Sequence, residues 1–287
     1  MSEKDKLDIL IYNICNDNYN NEDNKNRLKY IANKYNVSVE VLYKRYLWLK
    51  SMEINPNIYH LDENHKLIYK IFDEYNKMLN ENNIEYYYTS GILAYLLVNK
   101  ELERYHHDLD IFINMNYLER LEQICNNYNF SFERKIGYRE DGTKRVMLKM
   151  YYLDRFDIPI TVFMFVRMED NSIVQKDYYI DKDNRNFVEY IYNSPEISRL
   201  SFSKQVKVHN NIQYYSITPE ALFLCKNGNR AKDIYDCTIF KDIVNMEDLK
   251  KLEEEFKYNH PNITVLSDDD AFSNYIFKNN INKKILK

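Results

Sequence analysis

Apolar residues in this chain recur with two periods, one of three to four residues and one of two, and the change of period marks where helix gives way to strand. Leu67, Ile68, Ile71, Phe72 and Met78 follow the helical period and predict a helix over Leu61 to Asn80. Upstream, Leu7, Ile9, Leu10 and Ile11 start one amphipathic helix, Arg27 to Tyr35 a second and Ser38 to Lys50 a third. The Asn-rich stretch Asn16 to Asn26 forms a loop, and Met52 to His60, with Asn55-Pro56-Asn57, a linker. The period then shortens. Tyr86-Tyr87-Tyr88 reads as a strand, Thr89-Ser90-Gly91 as a tight turn, and Ile92 to Val98 as a short helix with Ala94 near its start. Ile111-Phe112-Ile113 is β-branched and aromatic, as strands are. Tyr117 to Tyr128 is helical, and Val146 to Tyr152 and Phe156 to Val166 are strands around Leu153-Asp154-Arg155. Thr218-Pro219-Glu220 starts a late helix, with Thr218 as cap and Pro219 in the first turn. Helices and strands intermixed in this order indicate an α+β protein.

The first helices carry a finer pattern. Ile31 to Arg45 resembles a helix-turn-helix, with Ala32 packing closely, Asn36 turning, Ser38 capping and Leu42 in the core. Lys44, Arg45 and Lys50 would then lie on the second helix of the motif. Acidic residues nearly balance the basic ones here, so the electrostatic footprint of a DNA reader is faint. The expectation is a tri-helical domain that packs on the rest of the chain, with DNA binding the less favoured role.

Composition narrows the class. With 287 residues, 45% of them hydrophobic, the chain can bury a sizeable core and divide into two or three domains. A net charge of −4 argues against a generally basic nucleic-acid binder. Cys15, Cys125, Cys225 and Cys237 are scattered through apolar helical contexts without a CxxC pair, and read as small buried hydrophobes. The start, Met1 to Asp5, is charged, and no apolar run approaches the ~20 residues of a membrane span. A reduced, cytoplasmic setting without membrane contact is expected. The 28 Tyr are spread along the chain and read as compositional bias, not as stacking platforms for bases.

The chemistry concentrates in Arg104-Tyr105-His106-His107-Asp108-Leu109-Asp110. On a strand Asp108 and Asp110 share one face, with Cα atoms roughly 6.5 to 7 Å apart, and Leu109, Ile111 and Ile113 take the other. Two carboxylates so close repel unless a cation lies between them, and hard oxygen donors favour Mg²⁺ or Mn²⁺. On the same alternation His106 joins the carboxylate face and His107 the core. No third His or Cys stands at the spacing of a zinc site. Ser90-Gly91, opening a helix, presents free N–H groups to an anion such as a triphosphate. Far downstream Lys226, Arg230, Lys232-Asp233 and Asp236 place basic and acidic groups on one stretch, which is either a site or an exposed helix with charge pairs.

Taken in order, these motifs resemble the polymerase-beta-type nucleotidyltransferases, and within them the minimal branch of lincosamide and aminoglycoside nucleotidyltransferases and AbiEii-type toxins. The likeness spans Tyr86 to Ile243. It implies a mixed catalytic sheet with flanking helices at 56–217, after a helical domain at 1–55 and before a helical region at 218–287. It also implies two Mg²⁺ (or Mn²⁺) ions about 3.5 to 4 Å apart on Asp108, Asp110 and a third acid. Asp157 is the candidate for that acid, although Pro159 implies an edge or a bulge that shifts the register, and Thr161 is the alternative occupant of its place. Ser90, Gly91, Arg104, Lys226 and Asp233 would serve the nucleotide. The implied reaction moves a nucleoside monophosphate from an NTP to a hydroxyl. The AbiEii likeness implies an RNA or protein target, a growth-inhibiting role and an antitoxin partner; the other branch implies a small aminoglycoside or lincosamide. A third reading is a non-catalytic DNA-binding regulator with a degenerate nucleotide domain.

Overall fold

Helices α1 (Glu3–Asn18), α2 (Glu22–Lys34) and α3 (Val39–Ser51) open the chain and turn their apolar stripes inward, so that Ile11, Ile14, Leu28, Ile31, Leu42 and Tyr46 form one cluster. Helix α2 begins at Glu22, ahead of the expected Arg27, because Asn21 caps it by accepting the Asp23 N–H at 3.0 Å. The α2–α3 turn places Asn36 at φ 51°, a left-handed conformation that asparagine tolerates. Ser38 then caps α3 by accepting the Val41 N–H at 3.2 Å. Ala32 and Leu42 are buried beneath this turn.

The structure is a computed structural model that describes residues 1–18, 21–138, 144–155, 157–180, 187–192, 197–203, 205–226, 230–256 and 262–265. Its residues group into two compact units. One holds Met1–Lys70, Glu101–His106 and Arg230–Lys232; the other holds Ile71–Lys100, His107–Asn229 and Asp233–Lys287. The first includes the start of α4 (Leu61–Glu81). There Asp5 accepts the Asp62 N–H at 3.0 Å, supplying a free helix N–H with a partner. Asn64 clasps the backbone of His106, donating to its carbonyl at 2.8 Å and accepting its N–H at 2.9 Å. One turn of chain is thereby held against α4 as a strand would be.

The second unit is a mixed sheet with helices. In chain order come β1 (Tyr86–Thr89), α5 (Ser90–Leu96), β2 (Leu109–Asn114), α6 (Leu118–Ile124), β3 (Phe130–Tyr138), β4 (Lys144–Tyr152), β5 (Ile160–Arg167), β6 (Ile173–Ile180) and β7 (Phe187–Tyr192). A small hairpin, β8 (Lys207–His209) and β9 (Ile212–Tyr214), precedes α7 (Pro219–Lys226), α8 (Ala231–Phe240), α9 (Met246–Phe256) and β10 (Asn262–Val265). Strand order is β1-β2-β5-β4-β6-β7-β10, with β3 on β4 and a further pairing of β5 with β6. Only β2 and β5 run parallel among these named pairs, so the chain between them must cross over, by way of α6, β3 and β4. The region read as helical at 218–287 also supplies β10, which lies antiparallel along β7.

Tyrosine fills much of this core. Tyr75, Tyr86, Tyr88, Tyr95, Tyr178 and Tyr214 are fully buried. Burial of a phenol calls for a hydrogen-bond partner. Tyr86 Oη donates toward Asn76 Oδ1 at 2.8 Å and Tyr178 Oη to Glu189 at 2.7 Å. No described helix is long and apolar enough to cross a membrane.

Candidate functional site

The site begins where β1 ends. Thr89 pairs with Asp110 across the antiparallel β1–β2 ladder, so the Ser90-Gly91 turn and the paired carboxylates lie at one end of the sheet. Ser90 turns the chain at φ 69°, a left-handed conformation uncommon for a residue with a Cβ, and starts α5 directly. The free edge of β1 takes the segment before α7. Tyr88 donates to the Tyr215 carbonyl at 2.9 Å and accepts the Ile217 N–H at 3.0 Å, in a parallel bridge. A parallel neighbour makes α7 start at the same end of the sheet as α5, and the two helices touch. Thr218 caps α7, accepting the Ala221 N–H at 3.3 Å.

On the other side Asp110 pairs with Thr161 of the parallel strand β5, and Thr161 with Lys149 of β4. Lys149 in turn pairs with Glu133 of β3. Residues opposite one another in a ladder point to the same face. Thr89, Asp110, Thr161, Lys149 and Glu133 therefore form one row across five strands. Lys149 Nζ donates to Thr161 Oγ1. Burial pulls the Lys149 ammonium below its ordinary range, and the charges of Asp108 and Asp110 pull it back up. Both carboxylates thus act on this lysine. Asp108 is exposed, just before β2, and Asp110 is half-buried on it.

Several sequence expectations change here. The strand holding Thr161 begins at Ile160, not Phe156, and Phe156 lies outside the described residues. Leu153 and Asp154, at φ 47° and 55°, turn the chain out of β4, and Asp157, Ile158 and Pro159 lie in a loop ahead of the next strand. Pro159 marks neither an edge nor a bulge. It stands one residue ahead of an interior strand, and its carbonyl accepts the Leu109 N–H at 3.1 Å. Asp157 is therefore exposed in the loop instead of on a strand. Arg155 grips it with two hydrogen bonds of 2.9 and 2.8 Å and holds its carboxyl below the usual carboxylate range. The histidines are reversed, with His106 buried and His107 exposed, because the strand alternation begins only at Leu109 and does not reach back to them.

Arg104 groups with the first unit, where it is buried and donates to the Tyr105 carbonyl at 2.9 Å. Lys226, at the end of α7, is buried against two acids of α8, Asp236 at 2.7 Å and Asp233 at 3.3 Å. Arg230 is exposed. Lys149 was not among the sequence candidates, yet it carried a signal, being the one charged residue in the run Val146 to Tyr152.

Two adjacent carboxylates suit one hard divalent cation. They do not suit a pair held by three acids, because Thr161, engaged by Lys149, stands beside Asp110. Among the described residues no group of three or more His, Cys, Asp and Glu side chains is placed to hold a metal ion.

No family model matches this chain, and no curated protein matches it. Similar solved structures exist. The lincosamide antibiotic adenylyltransferase LnuA with lincomycin bound is 17% identical, with a TM-score of 0.41 over 62% of this chain and 97% of that one. The solution structure of the antibiotic-resistance factor ANT(2'')-Ia is 11% identical, with a TM-score of 0.45 over 67% of this chain and 92% of that one. A crystal structure of ANT(2'')-Ia with adenylyl-2''-tobramycin is 13% identical at a TM-score of 0.42, over 67% and 95%. At such identities and scores these are partial likenesses.

Proposed function

We propose that this chain is a nucleotidyltransferase that moves a nucleoside monophosphate from an NTP to the hydroxyl of a small molecule. The observation that carries the reading is the register of Thr89 with Asp110, which sets a left-handed Ser90-Gly91 turn beside a carboxylate pair. The turn offers backbone N–H donors to phosphate, and the pair offers oxygen donors to a cation. In the reaction the acceptor oxygen forms a bond to the α-phosphorus, the bond to the bridging oxygen breaks, pyrophosphate leaves and the hydroxyl proton is released to solvent. Asp108 and Asp110 would hold Mg²⁺ or Mn²⁺, which when bound supplies charge to activate the hydroxyl and steady the pyrophosphate. Ser90 and the Gly91 N–H would grip the outer phosphates. On this reading Lys226 and Asp233 act by fixing α7 to α8, and Asp157, paired with Arg155, is not counted as a donor.

A small acceptor is favoured over RNA on electrostatic grounds. Among the described residues of β3, β4 and β6, Arg134 is matched by Glu122 at 2.6 Å, Lys135 by Glu133 at 3.2 Å, Arg145 by Asp177 at 2.7 Å and Lys176 by Glu189 at 3.2 Å. These basic groups are neutralised and Lys149 stands apart from them, a poor match to the repeated charge of a phosphate backbone. The toxin reading with its antitoxin partner, and the DNA-binding regulator, have no such support. In the first unit Arg45 is held by Asp8 at 2.9 and 2.6 Å, and Lys44 by Glu40 at 2.7 Å.

The test is incubation with each labelled NTP and Mg²⁺ in the presence of lincomycin, tobramycin, total RNA or a cell protein extract. Label is expected on a small molecule, and Asp108→Asn or Asp110→Asn is expected to abolish it while melting stays near that of the wild type. Label on RNA or protein alone would reverse the choice of acceptor. Transfer surviving both substitutions would remove the site.

A further inference from the structure

We infer that Lys149 and Thr161 fill the place of a third acid, so that a bound triphosphate is met by one divalent cation and one fixed ammonium instead of two cations. This rests on the nucleotidyl-transfer reading and concerns what completes that site. Three observations converge. Thr161 lies directly beside Asp110 in the parallel β2–β5 ladder, the position from which an acid would share a cation with it. Lys149, next in the same row, hydrogen-bonds Thr161 and feels both Asp108 and Asp110. The nearest alternative acid on the approach to β5, Asp157, is committed to Arg155 in the loop.

Charge arithmetic supports the exchange, once Glu133 at the end of the row is set against Lys135 at 3.2 Å and Arg145 against Asp177 at 2.7 Å, pairs that cancel. Three carboxylates with two divalent ions present one net positive charge to the triphosphate, and two carboxylates with one ammonium and one divalent ion present the same. Adding a second divalent ion to the observed set would leave three positive charges at close quarters, with the ammonium pressed against the ion. The row therefore keeps the charge that the chemistry needs while removing one exchangeable metal. A lysine on a four-carbon stem can make that contact with a phosphate oxygen as a point charge.

Equilibrium dialysis of the full chain against Mn²⁺ and the α,β-methylene analogue of each NTP reads ions and nucleotides retained per chain, without turnover. For the analogue that binds, one Mn²⁺ per nucleotide is expected. Lys149→Met is expected to weaken retention about tenfold or more, as loss of a charged hydrogen bond does, and Lys149→Arg to weaken it less. Two Mn²⁺ per nucleotide in the wild type would overturn the inference and leave the transferase reading standing, as would unchanged retention by a folded Lys149→Met. Retention of none of the four analogues by the wild type would overturn the transferase reading, and the inference with it. Should Lys149→Met not fold, the wild-type ratio still decides.

Discussion

Ser90 occupies a backbone position where a side chain costs roughly 1 to 2 kcal/mol relative to glycine, at φ 69°. Glycine stands next to it, so a serine here is retained for its hydroxyl on the transferase reading. Ser90→Gly is expected to melt at or above the wild-type temperature while raising the KM for NTP several-fold, since a phosphate contact shared by ground and transition states acts on KM. A variant less stable than the wild type, with unchanged KM, would make the hydroxyl structural. Residues fixed by local rules were legible in the sequence. The cap at Ser38 and the turn at Asn36 needed only neighbours in the chain. Lys149 was not, because its meaning comes from strands that pair across the sheet: it becomes a site residue only once β4 and β5 bring it to Thr161.

At the scale of elements, α7 and α8 are joined by a buried lysine between two acids, with side chains 6%, 4% and 0% exposed for Lys226, Asp233 and Asp236. Removing one member of such a set leaves buried charge uncompensated, which costs about 3 to 5 kcal/mol. Lys226→Ala is thus expected to lower the urea midpoint sharply. Lys226→Met combined with Asp233→Asn and Asp236→Asn should recover part of the loss. Equal destabilisation in both would show that packing, not charge, holds the helices. The sequence pattern of Lys226 and the two acids could not tell surface pairing from burial, since both use the same spacing. It likewise misplaced the start of β5, because the apolar run through Ile158 continues into a loop where Pro159 and the two left-handed residues, Leu153 and Asp154, end the ladder.

At the scale of the whole molecule, pH should act through two imidazoles, His65 half-buried and His209 buried. Burial lowers His65 below its ordinary 6.5, against a hydrogen bond with the Arg104 carbonyl at 2.8 Å, and burial alone lowers His209. At these two sites the folded chain binds fewer protons than the unfolded one just below pH 6.5. Their contribution to stability is complete above that value and is lost as pH falls toward the folded values. Urea midpoints are expected to decline from about pH 7 to about pH 5, with a shallower decline in His65→Gln and His209→Gln; an unaltered slope would assign the decline to other groups. One last consequence lies in the parallel pairing of β2 with β5. Asp110 and Thr161 become neighbours only after α6, β3 and β4 have been made and folded between them, so the carboxylate pair exists in a growing chain before the lysine that balances it. Such distant pairings form slowly compared with helices. In stopped-flow refolding, capture of a fluorescent nucleotide should therefore trail the recovery of helical ellipticity, and a chain ended by a ribosomal stall before β5 should be made of sound helices that hold no nucleotide at all.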